Sequence, residues 1–563
     1  MCRHSWRIAD SATVRAFSIP AYLLQYPDMS DYLPTIGMEI HAELRTKTKM
    51  FCSCKNDPDE ERPNVNVCPV CMAHPGALPV INAEAVKQVL RVGAALGSRL
   101  ADYTEFDRKN YFYPDLPKGY QLSQFEYPLV SGGSLAGFEI TRVHLEEDTA
   151  SSMHDEESGE TTIDYNRGGV PLMELVTEPV LHSAEDAGKF ARELQLLLRA
   201  LGASEANMEK GQMRVEANVS VSKDGTLGTK VEIKNLNSFN AMERAVRYEI
   251  ERQIKLLESG GTVEQQTLGW DENKQATFPQ RSKEGSADYR YFPDPDLPSL
   301  KLSEISGYDE ASIKATLPEL PWQRRDRYQK LGIKAEDAAQ FVREEALGSL
   351  FEAAVAHFGE TDKGVILAAN YIGNDLATAT KGQDDAVIAI SPEHFNAIIA
   401  LLRDNKISSR AGKDMLTAYL AGETKDPETY VKEHGLSQED AAGKVEGVVK
   451  AVLEKNPQVV ADYKGGKAAA LEFLFGQAMR ELRGAAEPGA LRAMLIEAMK
   501  WVSIVLQREQ FFDRRLQLTG DEERKTQRGV VDALFKKDDR LAAHTNAVGE
   551  LFLCEIGTCS DLF

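Results

Sequence analysis

The sequence predicts an α+β fold, with a mixed strand-and-helix body first and mostly helical segments after it. From Leu33 to about Ser299, short alternating strands recur between turn signals. After Leu317-Pro318-Glu319-Leu320-Pro321 the pattern turns helical, with few strand signals. A chain of 563 residues, 42% hydrophobic and 27% charged, has the length and composition of several ordinary folded domains. No apolar run approaches the ~20 residues of a membrane-crossing helix, so no membrane partner is expected.

In chain order, residues 1–32 differ in texture from the rest. Arg3, Arg7 and Arg15 with scattered serines suggest a mitochondrial transit peptide. Asp10 and Asp28 weaken that, and the apolar content is too broken for a secretory signal, so the segment reads as an extension or disordered arm. Thr35 to Glu43 reads as a strand: Ile36, Met38 and Ile40 alternate with Gly37, Glu39, His41 and Glu43. Ala83–Leu100 and Glu185–Leu201 carry helical spacing. Met213–Val221 and Thr229–Lys234 read as a hairpin across Asp224-Gly225. A helix comes next, capped by Asn237 or Ser238 and stopped at Gly260-Gly261. Helices run from Trp322 to about Thr380, and Ser391-Pro392 restarts the pattern. From there to Lys500 acids and bases are near-equal, which suits a module that meets phosphates, although the whole chain carries a net charge of -21. The residues from Trp501 are polar and repeat nothing before them.

Of seven cysteines, Cys52, Cys54, Cys68 and Cys71 are clustered, while Cys2, Cys554 and Cys559 lie in the terminal segments. Two tight thiol pairs joined by a polar loop suit a structural zinc in a reducing compartment better than disulfides. Four thiols leave no open ligand position, which argues against a catalytic zinc. Glu39, His41 and Glu43 share one strand face. Arg142, His144 and Glu146 share another, with Glu147 and Asp148 next in the chain. Such acids suit a hard divalent cation such as magnesium. Glu174 is embedded in the apolar run Val170 to Val176, where a carboxylate needs an ion pair or a metal. Asp107–Asp115 (DRKNYFYPD) and Ser286–Pro293 (SADYRYFP) combine cations with aromatics, a composition for nucleotide or RNA-end stacking. Neither a P-loop nor a GxGxxG fingerprint is present.

Together these segments resemble the B subunits of aspartyl/glutamyl-tRNA amidotransferases. The matching residues are Ile36–Leu44, Cys52–Cys71, Pro75–Asn82, Phe106–Gln124, His144–Asp148, Asp164–Pro179, Lys234–Phe239 and Asp288–Pro298, all in family order. The resemblance covers roughly Leu33 to Lys500. It implies an ATP-dependent ligase that converts mischarged Glu-tRNA(Gln) or Asp-tRNA(Asn) to the amide through an acyl phosphate. Ammonia would come from the glutaminase (A) chain of a heterotrimer that a small C chain completes. The resemblance further implies a catalytic cradle domain with the zinc site over 33–316, a helical domain over 317–390 and a tRNA-binding tail over 391–500. Residues 501–563 are left as an extension. By resemblance His41, Glu39, Glu147 and Glu174 hold magnesium and form the catalytic centre; the strand-face reading prefers Glu146 to Glu147. Lys109, Asn110, Tyr111, Tyr113, Arg214 and Lys234 are candidates for ATP, phosphate or substrate contact. The expected compartment is the cytoplasm, or alternatively the mitochondrial matrix. The competing readings are a zinc-stabilised, non-catalytic RNA-binding module and a stand-alone ligase acting on a small carboxylate.

Overall fold

The computed structural model describes residues 31–155, 158–282, 289–379, 388–482 and 488–500. Most of the expected N-terminal arm, the C-terminal extension with Cys554 and Cys559, Cys2 and the segment Ser286–Asp288 lie outside the described residues. The architecture is α+β. In chain order the longer elements of its mixed part are β1 (Leu33–Glu43), α1 (Ala83–Ala95), β2 (Asp107–Asn110), β3 (Tyr120–Ser123), β4 (Phe138–Glu147), β5 (Pro171–Thr177), α2 (Ala184–Ala200), β6 (Met213–Ser222), β7 (Val231–Leu236), α3 (Phe239–Glu258), β8 (Gln266–Asp271) and β9 (Ala276–Ser282).

Every second residue of β1 from Pro34 to Ala42 is buried, as its alternation requires. It lies inside a ten-stranded sheet in the order β9-β8-β7-β6-β1-β5-β4, which short strands at Val130–Ser131 and Arg99–Leu100 extend. Neighbours on this path are antiparallel except β7 and β8. Both edges of β1 are therefore hydrogen-bonded, and its face assignment is fixed from two sides. Ile36, Met38 and Ile40 share one core with Leu90 of α1, Phe190 of α2 and Met242 of α3. Burying each such side chain contributes about 1.5–3 kcal/mol. Tyr32, at the end of the expected arm, joins the same core.

Ser183 caps α2 by accepting from Asp186 N, and Ser238 caps α3 by accepting from Ala241 N. The first helix ends at Ala95, short of the expected Leu100. Gly97 takes φ +67°, and the amides of Gly97 and Ser98 turn back to the carbonyls of Ala94 and Gly93. That reversal frees Arg99–Leu100 to join the sheet. A smaller sheet of β2, β3 and the Phe292–Pro293 strand sits against the end of β4, where Gln121 Nε2 donates to the Glu147 carbonyl at 2.7 Å.

The chain divides into two compact units. The first holds the described residues up to Lys330 with Lys334–Arg343; the second holds Leu331–Ile333 and the described residues from Glu344 on. The first includes helices at Pro321–Lys330 and Ala335–Arg343. The second carries helices from Glu345–Phe358 to Ala468–Glu481, among them Pro392–Arg403, capped by Ser391. Within it Val445, Val452, Leu474 and Leu495 form a core of their own. No described helix is long and apolar enough to cross a membrane.

Candidate catalytic face and metal centres

Strand register builds the site. His41 of β1 stands opposite Glu174 of β5 on one side and Arg214 of β6 on the other, and Glu174 stands opposite His144 of β4. One residue row thus runs Arg214–His41–Glu174–His144 across four strands. The flanking row pairs Glu39 with Glu216 and Val176, and Val176 with Arg142. The row on the other side pairs Glu43 with Leu172, and Leu172 with Glu146. Opposed residues, and residues two apart on a strand, share a face. All these polar groups therefore project away from the core side of the sheet.

The side chains converge. His41 Nε2 lies 3.4 Å from Glu174, 3.6 Å from Glu146 and 3.8 Å from Glu39. His144 Nε2 lies 3.2 Å from Glu174 and 3.9 Å from Glu146, and Arg142 is 3.6 Å from Glu174. Glu146 and Glu174 are only 2% and 5% exposed. Burial works against each of these charges, and mutual attraction overrides it. Burial alone lowers His144, but the charge of Glu174 and a hydrogen bond to Glu146 push it up to about 9. Burial likewise opposes the charge on Glu174, yet His144 and His41 hold its carboxyl well below the usual range. Burial, with Glu174 and Glu216 beside it, raises Glu39.

Two overlapping groups have metal-binding proportions. One ligand atom each from Glu39, His41 and Glu174, and likewise from His144, Glu146 and Glu174, lie within 4.8 Å of one another. The structure brings Glu146, and not Glu147, to His41 and Glu174. Alternation along β4 turns Glu147 to the opposite face, where it pairs with Lys118 at 2.6 Å and accepts from Leu122 N at 2.9 Å. There it lines an open cavity of about 210 Å³ together with Lys118, Tyr120 and Cys71.

The remaining expected residues fall in different places. Lys109 lies close to the cluster, and the charges of Glu146 and Glu174 raise its ammonium against the opposing effect of burial. Tyr111 donates to Gln121 Oε1 at 3.1 Å, and Tyr113 is 55% exposed. The Asn110 side-chain amide donates to the carbonyls of Tyr289 and Arg290, so it ties β2 to that segment. Arg214 pairs with Asp148 at 2.9 Å, and Lys234 pairs with Glu216 at 2.7 Å. Burial and neighbouring Asp148 push Glu43 up to about 8. Sequence reasoning placed His144 and Asp148 beside the candidate acids without naming them as ligands, and it missed Ser123, whose hydroxyl donates to Glu146 at 3.1 Å. The face shared by His144 and Glu146 was the available signal. The contact of Glu146 with Ser123 of β3 could not be read from β4 alone.

The four thiols meet as a second centre. Ligand atoms of Cys52, Cys54, Cys68 and Cys71 lie within 4.8 Å of one another, a set compatible with a structural metal. Cys71 is driven down to about 4 by its hydrogen bond with Cys52, helped by the Cys68 amide and by Lys49. Lys49 is fully buried, with Nζ 2.9 Å from the Tyr165 carbonyl and 3.9 Å from Cys71 Sγ. Burial and the neighbouring thiols push Cys52 and Cys54 the other way, Cys54 to about 11, so of these three Cys71 alone already has the thiolate form that a metal ligand takes.

Comparison with known proteins finds relatives along most of the chain. Residues 34–306 match the family model described as the GatB/GatE catalytic domain, and residues 349–499 match the GatB domain. The B subunit of an aspartyl/glutamyl-tRNA(Asn/Gln) amidotransferase from Thermomicrobium roseum is 44% identical over 485 residues, covering 84% of this chain and 99% of that protein. Its counterpart in Thermus thermophilus is 42% identical, covering 83% and 99%. The B subunit of a chloroplastic/mitochondrial glutamyl-tRNA(Gln) amidotransferase from Physcomitrium patens is 41% identical, covering 83% and 85%.

Proposed function

The chain belongs to the family of aspartyl/glutamyl-tRNA amidotransferase B subunits, and we propose that the His41–Glu174–His144 face is where the mischarged amino acid is activated by ATP and amidated. The family places the chain in an amidotransferase of protein biosynthesis. The observation that supports the finer reading is the convergence of Glu39, Glu146 and Glu174 on His41, beside Lys109. Glu146 and Glu174 are buried and Glu39 closes the edge, an oxygen-rich pocket that a divalent cation would fit beside the positive charge that His144, Arg142 and Lys109 already bring.

Glu39, His41, Glu146 and Glu174 would hold magnesium, whose oxygen preference suits three carboxylates. When bound it neutralises phosphate charge. The chain's own groups do the rest. Arg142 and His144 fix the orientation of Glu174, Ser123 fixes Glu146, and Lys109 adds positive charge for phosphate. A carboxylate oxygen of the esterified Glu or Asp attacks the γ-phosphorus of ATP and ADP departs. Ammonia then attacks the acyl carbon and phosphate leaves, giving Gln-tRNA(Gln) or Asn-tRNA(Asn). Phosphorylation is needed because a bare carboxylate has no adequate leaving group. Ammonia is supplied through a channel from the glutaminase (A) chain, and the small C chain completes the heterotrimer. Residues 391–500 meet the tRNA as a tail domain, preceded by a helical domain over 317–390. The compartment is the cytoplasm, with the mitochondrial matrix as the alternative.

The test is an amidation assay of the reconstituted heterotrimer with each mischarged tRNA. His41→Ala is expected to lower amide formation roughly 10–100-fold, since an imidazole is a weaker donor than a carboxylate to a hard ion. Unchanged amide formation in that variant removes His41 from the centre.

Zinc in the four-thiol cage acts structurally. Cys68→Ser is expected to abolish stoichiometric zinc in elemental analysis and to lower the thermal midpoint by roughly 5 °C or more, with no change in the magnesium requirement. Retained zinc and an unmoved midpoint would dismiss the structural role.

A further inference from the structure

The two aromatic segments that stand far apart in the sequence meet in space. The Asn110 backbone N–H donates to the Tyr289 carbonyl at 3.0 Å, and its side chain donates to the carbonyls of Tyr289 and Arg290 at 3.0 and 2.8 Å. This join produces a continuous chain of rings. Tyr111 meets Tyr289 at 5.9 Å between centroids, and Tyr289 meets Tyr291 at 6.0 Å, both edge-on. Tyr291 then stacks on Phe125 at 4.3 Å with only 9° between the ring planes. Lys109 Nζ stands 5.2 Å from the Tyr289 ring centre.

Phe125 is the exposed member of the stack, and its backbone is firmly seated. Phe125 is 58% exposed. Yet its backbone N–H donates to Asp107 at 2.9 Å. The preceding Gln124 is buried, donating to Thr104 at 2.6 Å and accepting from Leu145 N at 3.0 Å. A ring on a pinned backbone, stacked on Tyr291 and showing most of its surface, offers a stacking platform whose backbone needs no ordering on binding. Its place relative to the polar face matters as much. Ser123, which donates to Glu146, lies two residues before Phe125, about 7 Å along an extended chain.

Resting on the transamidation reading above, we propose that the Phe125–Tyr291 stack seats the purine base of an adenine nucleotide, directing its phosphate or ester end toward Lys109 and the Glu146–Glu174 cluster. The base comes either from ATP or from the 3′-terminal adenosine of the charged tRNA. Both offer the same π-surface, and a purine covers more of the platform than a pyrimidine does.

The test uses the full heterotrimer with Phe125→Ala, Phe125→Leu and Phe125→Trp, measuring KM separately for ATP and for mischarged tRNA. Loss of one stacked base corresponds to roughly a five- to hundredfold rise in KM. If the base is that of ATP, Phe125→Ala and Phe125→Leu raise only the KM for ATP. If it is the tRNA terminus, they raise only the KM for tRNA. In either case Phe125→Trp stays near wild type, which a simple loss of apolar packing would not explain. Tyr291→Ala should move the same KM, and thermal midpoints check that the variants fold. Two results overturn the proposal: both KM values unchanged in Phe125→Ala, or a change that tracks dissociation of the heterotrimer in sedimentation, which would make the patch a protein contact. The wild type separates this from the wider reading. ATP turnover with charged tRNA alongside an indifferent Phe125→Ala sinks only the base seat, whereas absence of that turnover sinks the transamidation reading itself.

Discussion

Glutamine in place of Glu174 is expected to lower ATP-dependent amide formation by about a thousandfold or more while leaving the chain folded. Glu174 is the central residue of the Arg214–His41–Glu174–His144 row and belongs to both candidate ligand groups. Glutamine keeps its shape, so the sheet should tolerate the change, but the charge that any cation would meet is gone. The same charge holds the proton on His144, so the variant also loses a buried ion pair worth about 2–4 kcal/mol. The sign with pH follows from both partners. The carboxyl of Glu174 is depressed when folded, so its contribution is present above its unfolded pKa and is lost only in strong acid, as pH falls through the folded value. His144 is raised to about 9, so its contribution is present below its unfolded pKa and fades as pH rises through about 9. The stability gap between wild type and Glu174→Gln is therefore widest in mild acid, between the unfolded values of the two groups, narrows as pH rises from about 6.5, and has lost its His144 part above about pH 9. Thermal melts across that range, with amidation rates at pH 7, check both parts. Amide formation within tenfold of wild type would sink the assignment.

The sequence disclosed the face of β1 because its period-2 alternation has only one way to bury Ile36, Met38 and Ile40. Glu174 stood out for a related reason: an acid inside an apolar run has few physical excuses. What could not be read was which strands flank β1. The opposition of His41 to Glu174 spans 133 positions of sequence, and that of Glu174 to His144 depends on β4 arriving from the other side. Nothing local encodes those pairings. The boundary at Gly97 was missed because Leu100 continues the helical spacing while a left-handed glycine overrides it. The Asn110 side-chain amide donates to two backbone carbonyls about 180 positions away, partners that local sequence does not reveal.

Alternation along β4 also separates two neighbouring acids that a motif match treats alike, and it gives them opposite expected defects. Glu146→Gln removes a carboxylate 3.6 Å from His41, so it is expected to raise the magnesium needed for half-maximal ATP turnover and to reduce amide formation at least several-hundredfold. Glu147→Gln acts on the far face. It leaves Lys118, whose side chain is only 14% exposed, without its anionic partner. Removing one member of a buried pair costs about 3–5 kcal/mol because the other charge stays desolvated. The expected result is a clear drop in thermal midpoint with the magnesium requirement unchanged. Restoring charge balance with Lys118→Met in the Glu147→Gln background should recover much of the lost stability, since an uncharged pair of similar volume no longer strands an ammonium. Magnesium titrations and melts of the three proteins decide between the two neighbours. A shifted magnesium requirement in Glu147→Gln, with none in Glu146→Gln, would mean that the cation sits on the face of the cavity beside Cys71 and that the His41–Glu174 cluster is an ion-pair network alone.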